Sequence, residues 1–197
     1  MVIAQNLNSN DRNYMAKGLY GIYLTDKTNI VMLGDSLTYN ANWDELLGRN
    51  DVVNRGIPGD NTEGILDRME YVYNLNPRAC FLMMGVNDFF IERSETDVFN
   101  NYKNVIAGLR EHEIVPIVQS TLYLNPTQDR FISINEKIKK LNGMLKEYSE
   151  KNNVAYIDIN DSLLKEKEGI YYGDGIHILG KGYYLWREKI KEVMNNI

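Results

Sequence analysis

Short apolar runs alternate with amphipathic helical segments along this chain, and that order predicts a three-layer α/β/α sandwich around a mainly parallel sheet. Three observations carry the expectation. Five strand-like runs recur at Asn29–Leu33, Asp51–Asn54, Ala79–Met84, Ile114–Ser120 and Val154–Asp158. Helical periodicities lie between most of them. The runs are nearly continuous in apolar residues, as expected of strands covered on both faces.

The elements follow in order. Tyr14, Leu19, Tyr20, Ile22 and Tyr23 suffice for one packed helix within the leading 28 residues. That segment either braces the domain or contributes to a homodimer contact, and the sequence does not decide between them. After the second run, Ile65, Met69 and Val72 follow 4,3 spacing, with Asp60 or Asn61 available as N-cap. Val98, Tyr102, Val105 and Leu109 repeat 4,3,4. The clearest amphipathic helix places Phe131, Ile134, Ile138, Leu141, Leu145 and Tyr148 at 3,4,3,4,3. A last helix from about Lys181 to Asn195 carries Tyr183, Trp186, Ile190 and Val193 on one stripe. No repeat or linker interrupts the chain. The expected division is an N-terminal extension over residues 1–28 and one domain over 29–197.

Composition narrows the function classes. The 197 residues are 44% hydrophobic and 25% charged, ordinary for a globular domain that can bury a full core. A net charge of −5 argues against tracking a nucleic-acid backbone, which needs a basic face. A small anionic substrate held by a local arginine is still compatible. The one cysteine, Cys80, lies inside an apolar run and reads as a buried inert thiol. No Cys/His spacing suggests a metal site. The start has no basic segment leading into an apolar one, so cytoplasmic location is the default expectation; a leader removed earlier would make it periplasmic or secreted. No apolar stretch approaches the ~20 residues of a membrane span.

The chemistry gathers at strand ends. Gly34-Asp35-Ser36 follows the first run directly, so a serine hydroxyl is expected at the carboxyl edge of the sheet, where open α/β sheets bind their ligands. A neutral serine needs an adjacent base. His177, one of two histidines, supplies an imidazole, and Asp174 three residues earlier can orient it. Asn54–Asp60 follows the second run and Gly85–Asp88 the third, on the same sheet edge. The Gly56 N–H, the Asn87 amide and the Ser36 N–H are therefore candidate oxyanion donors. Arg55, beside Gly56, is a candidate for binding an anionic substrate group, with a structural salt bridge equally compatible. Phe89, Phe90 and Tyr123 are candidates for an acyl-pocket wall, with core or surface packing equally compatible. Asp35 reads as a turn residue bonded within its own loop. The other histidine, His112, sits at a helix end and reads as a dipole-stabilising or solvated residue.

Taken singly, each of these pieces is an ordinary turn or cap. Together they resemble the SGNH (GDSL-type) hydrolase superfamily. GDSLT at Gly34–Thr38, NRGIPGD at Asn54–Asp60, GVND at Gly85–Asp88 and DGIH at Asp174–His177 look like its four blocks, in family order. The resemblance implies a flavodoxin-like sandwich of five parallel strands in order 2-1-3-4-5, hydrolysing esters with no cofactor. It also implies Ser36 as nucleophile, Asp174 and His177 completing the triad, and Gly56 and Asn87 as oxyanion donors. The stretch Asn54–Gly64 is similar to that of bacterial acetylesterases and platelet-activating-factor-acetylhydrolase-like members. It favours cleavage of a short acyl group, such as acetyl, from a carbohydrate or similar polar alcohol. A lysophospholipase or thioesterase acting on longer chains uses the same machinery. A flavodoxin-like binding module without hydrolysis is the alternative of another class.

Overall fold

The structure is a computed structural model that describes residues 9–166 and 168–194. Five strands form one sheet: β1 (Ile30–Gly34), β2 (Val52–Gly56), β3 (Ala79–Met83), β4 (Val115–Gln119) and β5 (Ala155–Ile157). Every neighbouring pair is parallel, in the order β2-β1-β3-β4-β5. The expected sandwich is therefore present, each strand beginning and ending within two residues of its apolar run.

Alternation along the strands divides the core in two. Ile30, Met32, Phe81, Met83 and Ile117 face one layer, made by α2 (Ser36–Tyr39), α3 (Trp43–Leu47), α9 (Asn160–Leu163) and α10 (Gly180–Met194). Val31, Leu33, Cys80, Leu82 and Val118 face the other, covered by α4 (Thr62–Leu66), α5 (Glu70–Tyr73), α6 (Val86–Phe90), α7 (Glu95–Glu111) and α8 (Ile132–Lys151). Asn195, the expected end of the last helix, lies outside the described residues.

The segment after β2 departs from expectation. Ile65, Met69 and Val72 are buried on the same core, but two short helices carry them instead of one. Asn61 caps α4 by accepting from the Gly64 N–H at 2.9 Å. The break between α4 and α5 contains Arg68, whose side chain is fully buried. Its guanidinium donates to Asp60 Oδ2 at 2.7 Å, to the Arg55 carbonyl at 2.8 Å and to the Gly34 carbonyl at 3.0 Å. A continuous helix would have kept its register at the expense of this fork, which closes the ends of β1 and β2.

Gly56 ends β2 against the backbone of α2. A Cβ there would collide with the Tyr39 backbone nitrogen, so glycine is required by close approach. Before β1, α1 (Ser9–Tyr20) packs on the loop after β2. Asn13 donates to Asp60 Oδ1 at 3.2 Å and to the Gly64 carbonyl at 3.3 Å. Lys17 pairs with Asp67, and the Tyr20 ring lies 4.3 Å from the Arg55 guanidinium. Among the described residues no helix is long and apolar enough to cross a membrane.

Removing Arg68 takes its charged partner from the buried Asp60 carboxylate and one donor from each of two carbonyls. Arg68→Leu is expected to lower unfolding free energy by about 3–5 kcal/mol in urea titrations. Gly56→Ala is expected to cost about 1–3 kcal/mol by overpacking. An unchanged urea midpoint in either variant would remove the structural role assigned to that residue.

Candidate active site

Asp35 opens the site by capping α2. Its Oδ1 accepts the Leu37 N–H at 2.9 Å, which turns the chain sharply out of β1 and leaves Ser36 as the first helical residue. Ser36 is half-buried at the carboxyl edge of the sheet. Asp35 itself is fully buried, and its Oδ2 has no hydrogen-bond partner among the described residues. Burial pushes its carboxyl up to about 7; the Leu37 N–H opposes the shift, while Asp60 and Asp88 add to it. The expectation of a turn residue is met.

The second part is a tight loop before α10. Tyr171 and Ile178 form an antiparallel bridge, and the Tyr172 N–H donates to the His177 carbonyl at 2.8 Å. Gly175 turns the loop at φ 73°, a left-handed conformation glycine adopts without penalty. Asp174 Oδ1 accepts the Ile176 and His177 N–H groups at 2.8 and 3.0 Å. Its Oδ2 lies 2.7 Å from His177 Nδ1. Burial works against the Asp174 charge, but the His177 ring and the two N–H donors outweigh it and hold the carboxyl below its ordinary range. A carboxylate only accepts, so Nδ1 carries the hydrogen and the neutral ring turns a lone pair outward on Nε2. That atom is 3.0 Å from Ser36 Oγ. Residues 141 apart in sequence thus meet at hydrogen-bond distance. The loop after β4 braces the arrangement: Arg130 donates to the Asp174 carbonyl at 2.6 Å, and the Asn125 N–H to the Gly175 carbonyl at 2.8 Å.

Two further loops reach the same edge. Asn87, in α6, donates one amide hydrogen to the Asp60 carbonyl at 2.8 Å and retains a second. Ile57-Pro58-Gly59-Asp60 closes with an Asp60 N–H to Ile57 carbonyl bond of 3.1 Å, and Gly59 sits at φ 79°. Proline followed by a positive-φ glycine is the type II turn pattern. Ser36, His177, Asn87 and Gly59 line one cleft of about 490 Å³, with Pro58, Phe90 and Ile176 as its apolar wall and Arg12 of α1 at its side.

Several expectations need correction. The Gly56 N–H donates to Asn54 Oδ1 at 2.7 Å and lies within β2, so it is engaged inside the strand end; Gly59, three residues on, lines the cleft in its place. Arg55 is also turned away. It is buried beneath Tyr20, donating to the Asn54 carbonyl at 3.2 Å and more weakly to Tyr71, because strand alternation sends its side chain toward the helices. Phe89 and Tyr123 pack into the core, and only Phe90 of the three aromatics borders the cleft. Arg12 and Ile176 carried no sequence signal, whereas the Pro58-Gly59 turn did. His112 stacks on Tyr73 at 3.8 Å and bonds to the Gly108 carbonyl at the end of α7. Burial raises the Cys80 thiol, keeping it protonated.

A family profile, the GDSL-like lipase/acylhydrolase family, matches residues 32–185. The chain belongs to that family. Among curated proteins, the N-acylneuraminate cytidylyltransferase of Streptococcus agalactiae serotype V is 25% identical over 170 residues, covering 82% of this chain and 39% of that protein. The chain thus spans about two-fifths of the length of such relatives. Solved structures share the fold. A GDSL-like lipase from Bacteroides thetaiotaomicron superposes with TM-score 0.79 at 22% identity, covering 93% of this chain and 97% of that one. A protein from Streptococcus pneumonia described as a putative platelet activating factor gives 0.81 at 23%, covering 95% and 92%. An acetyl xylan esterase gives 0.74 at 20%, covering 83% and 98%.

The raised carboxyl of Asp35 has a consequence for stability. Between about pH 4 and pH 7 the folded chain holds a proton there that the unfolded chain has released, so this group's contribution falls as pH rises through that window. Asp35→Asn keeps an oxygen for the Leu37 cap but cannot ionise. Relative to the parent, its stability should climb across the window by at most about 1.4 kcal/mol per pH unit, read by urea unfolding at several pH values. Parallel pH profiles for the two proteins would show that Asp35 ionises normally.

Proposed function

We propose that Ser36 is the nucleophile of a serine esterase, with His177 as general base and Asp174 as its orienting carboxylate. The observation that carries this reading is the unbroken chain of contacts from Asp174 Oδ2 to His177 Nδ1 at 2.7 Å and from His177 Nε2 to Ser36 Oγ at 3.0 Å. Ser36 Oγ attacks the ester carbonyl as its proton passes to Nε2; the imidazolium formed is stabilised by Asp174. The oxyanion is met by the second Asn87 amide hydrogen and by the Ser36 and Gly59 backbone N–H groups. Collapse expels the alcohol, which takes the proton from Nε2. Water then repeats the sequence and returns Ser36 with a free acid.

The reading extends to a short acyl group, acetyl above all, on a carbohydrate or similar polar alcohol. Among the described residues the apolar wall consists of Pro58, Phe90 and Ile176, three side chains beside the polar or charged groups of Arg12, Ser36, Asn87 and His177. An acetyl xylan esterase shares the fold, and the curated relatives are named for an N-acylneuraminate. Residues 1–28 form an extension to a hydrolase domain of 29–197 in this reading, supported by a family match that begins at residue 32.

A fluorophosphonate probe followed by intact-mass measurement is expected to give one adduct, on Ser36, that is lost in His177→Ala. An unlabelled parent protein at neutral pH contradicts the triad. Asn87→Ala should lower kcat by roughly 10²–10³-fold with its thermal midpoint retained. On p-nitrophenyl esters, acetate should exceed octanoate in kcat/KM; the reverse order favours a lysophospholipase or thioesterase.

A further inference from the structure

We infer that Arg12 makes this cleft selective for esters whose alcohol portion carries an anionic group, a carboxylate or a phosphate. The inference rests on the catalytic reading above and names its substrate class. Arg12 belongs to α1, outside the 32–185 region that the family profile matches, yet it lines the same cleft as Ser36 and His177. Its position is fixed by its neighbour in the chain. Asn13 is buried and tied to Asp60 Oδ1 and the Gly64 carbonyl, so the start of α1 is held against the loop that carries Gly59. Asp60 also accepts the Asn87 amide, so one residue links α1 to the polar side of the site.

Charge makes the position selective. Of the described residues lining the cleft, Arg12 alone bears a permanent charge, and none is a carboxylate. The chain as a whole carries −5, so attraction of an anion is a local property of this rim and not a general field. A guanidinium holds a carboxylate or phosphate through paired N–H donors, which sets orientation as well as affinity. Arg12 follows Asp11 directly and both have interactions of their own, so a substrate anion joins contacts that Arg12 already makes. With the acyl group against Phe90 and Ile176 and the carbonyl at Ser36, the alcohol portion is the part left to meet α1.

The test compares kcat/KM within matched substrate pairs, so that changes in overall activity cancel. One pair is a monoacetylated methyl glucuronide and its neutral glucoside counterpart; the other is acetylglycerol phosphate and monoacetylglycerol. The parent protein should prefer the anionic member of at least one pair by about tenfold, the size of one charge-assisted contact at a wet rim. The pair showing the preference identifies carboxylate or phosphate as the group read. That ratio should fall to near one in Arg12→Ala, drop below one in Arg12→Glu, and shrink with added salt in the parent. A parent that hydrolyses both neutral esters with ratios at or below one overturns the inference while sparing the catalytic reading. So does a preference retained in both variants. A parent that hydrolyses none of the four esters and takes no fluorophosphonate overturns the catalytic reading itself.

Discussion

The buried pair of Arg68 and Asp60 holds together almost everything that matters at the carboxyl edge of the sheet. Two charges removed from water oppose folding unless they are well hydrogen-bonded, and here every side-chain nitrogen of Arg68 and both carboxylate oxygens of Asp60 have a partner. Arg68 spends its fork on one carboxylate oxygen and on the carbonyls of Arg55 and Gly34, groups at the ends of β1 and β2. Burial raises the Asp60 carboxyl while the guanidinium, next in weight, opposes it. The other Asp60 oxygen takes Asn13, and the Asp60 carbonyl takes Asn87. One ion pair therefore relates the strand that delivers Ser36, the turn that carries Gly59, the helix that carries Asn87 and the extension that carries Arg12. Apolar residues could fill the same volume, but they could not fix four polar segments in one register.

Two aspartates near the serine show how environment assigns different tasks to one side chain. Asp174 lies at a partly open loop and receives two backbone N–H groups and an imidazole, so its charge is favoured. Asp35 is fully buried with one backbone donor, so burial dominates and its carboxyl is raised to about 7. The first can balance an imidazolium; the second shapes the turn that exposes Ser36. Setting two carboxyl groups apart in this way is a common means of separating electrostatic from structural duty.

Much of this was legible in the residues. The five strands follow from apolar runs buried on both faces, and their parallel pairing from intervening helices with right-handed crossovers, whereas the order β2-β1-β3-β4-β5 was implied by the family resemblance. The motifs placed Ser36 and Asn87 directly after strands and Asp174 and His177 before the last helix, and the structure brings these residues to one edge of the sheet. The errors were local. Gly56 and Gly59 both flank Pro58, and only the backbone path tells which one ends a strand and which one turns a loop toward the cleft. Arg55 looked available because it neighbours that loop, but strand alternation buries it beneath Tyr20.

By itself, then, the sequence determined the sheet, its two cores and the chemical groups available at one edge, because periodicity and turn chemistry act over a few residues. Tertiary structure decided how those groups are shared out. Whether a backbone N–H is engaged or open, whether the imidazole held by Asp174 reaches Ser36, and whether α1 lends an arginine to the cleft all depend on segments far apart in the chain. Such distances are set by packing and buried charge, for which no local pattern exists.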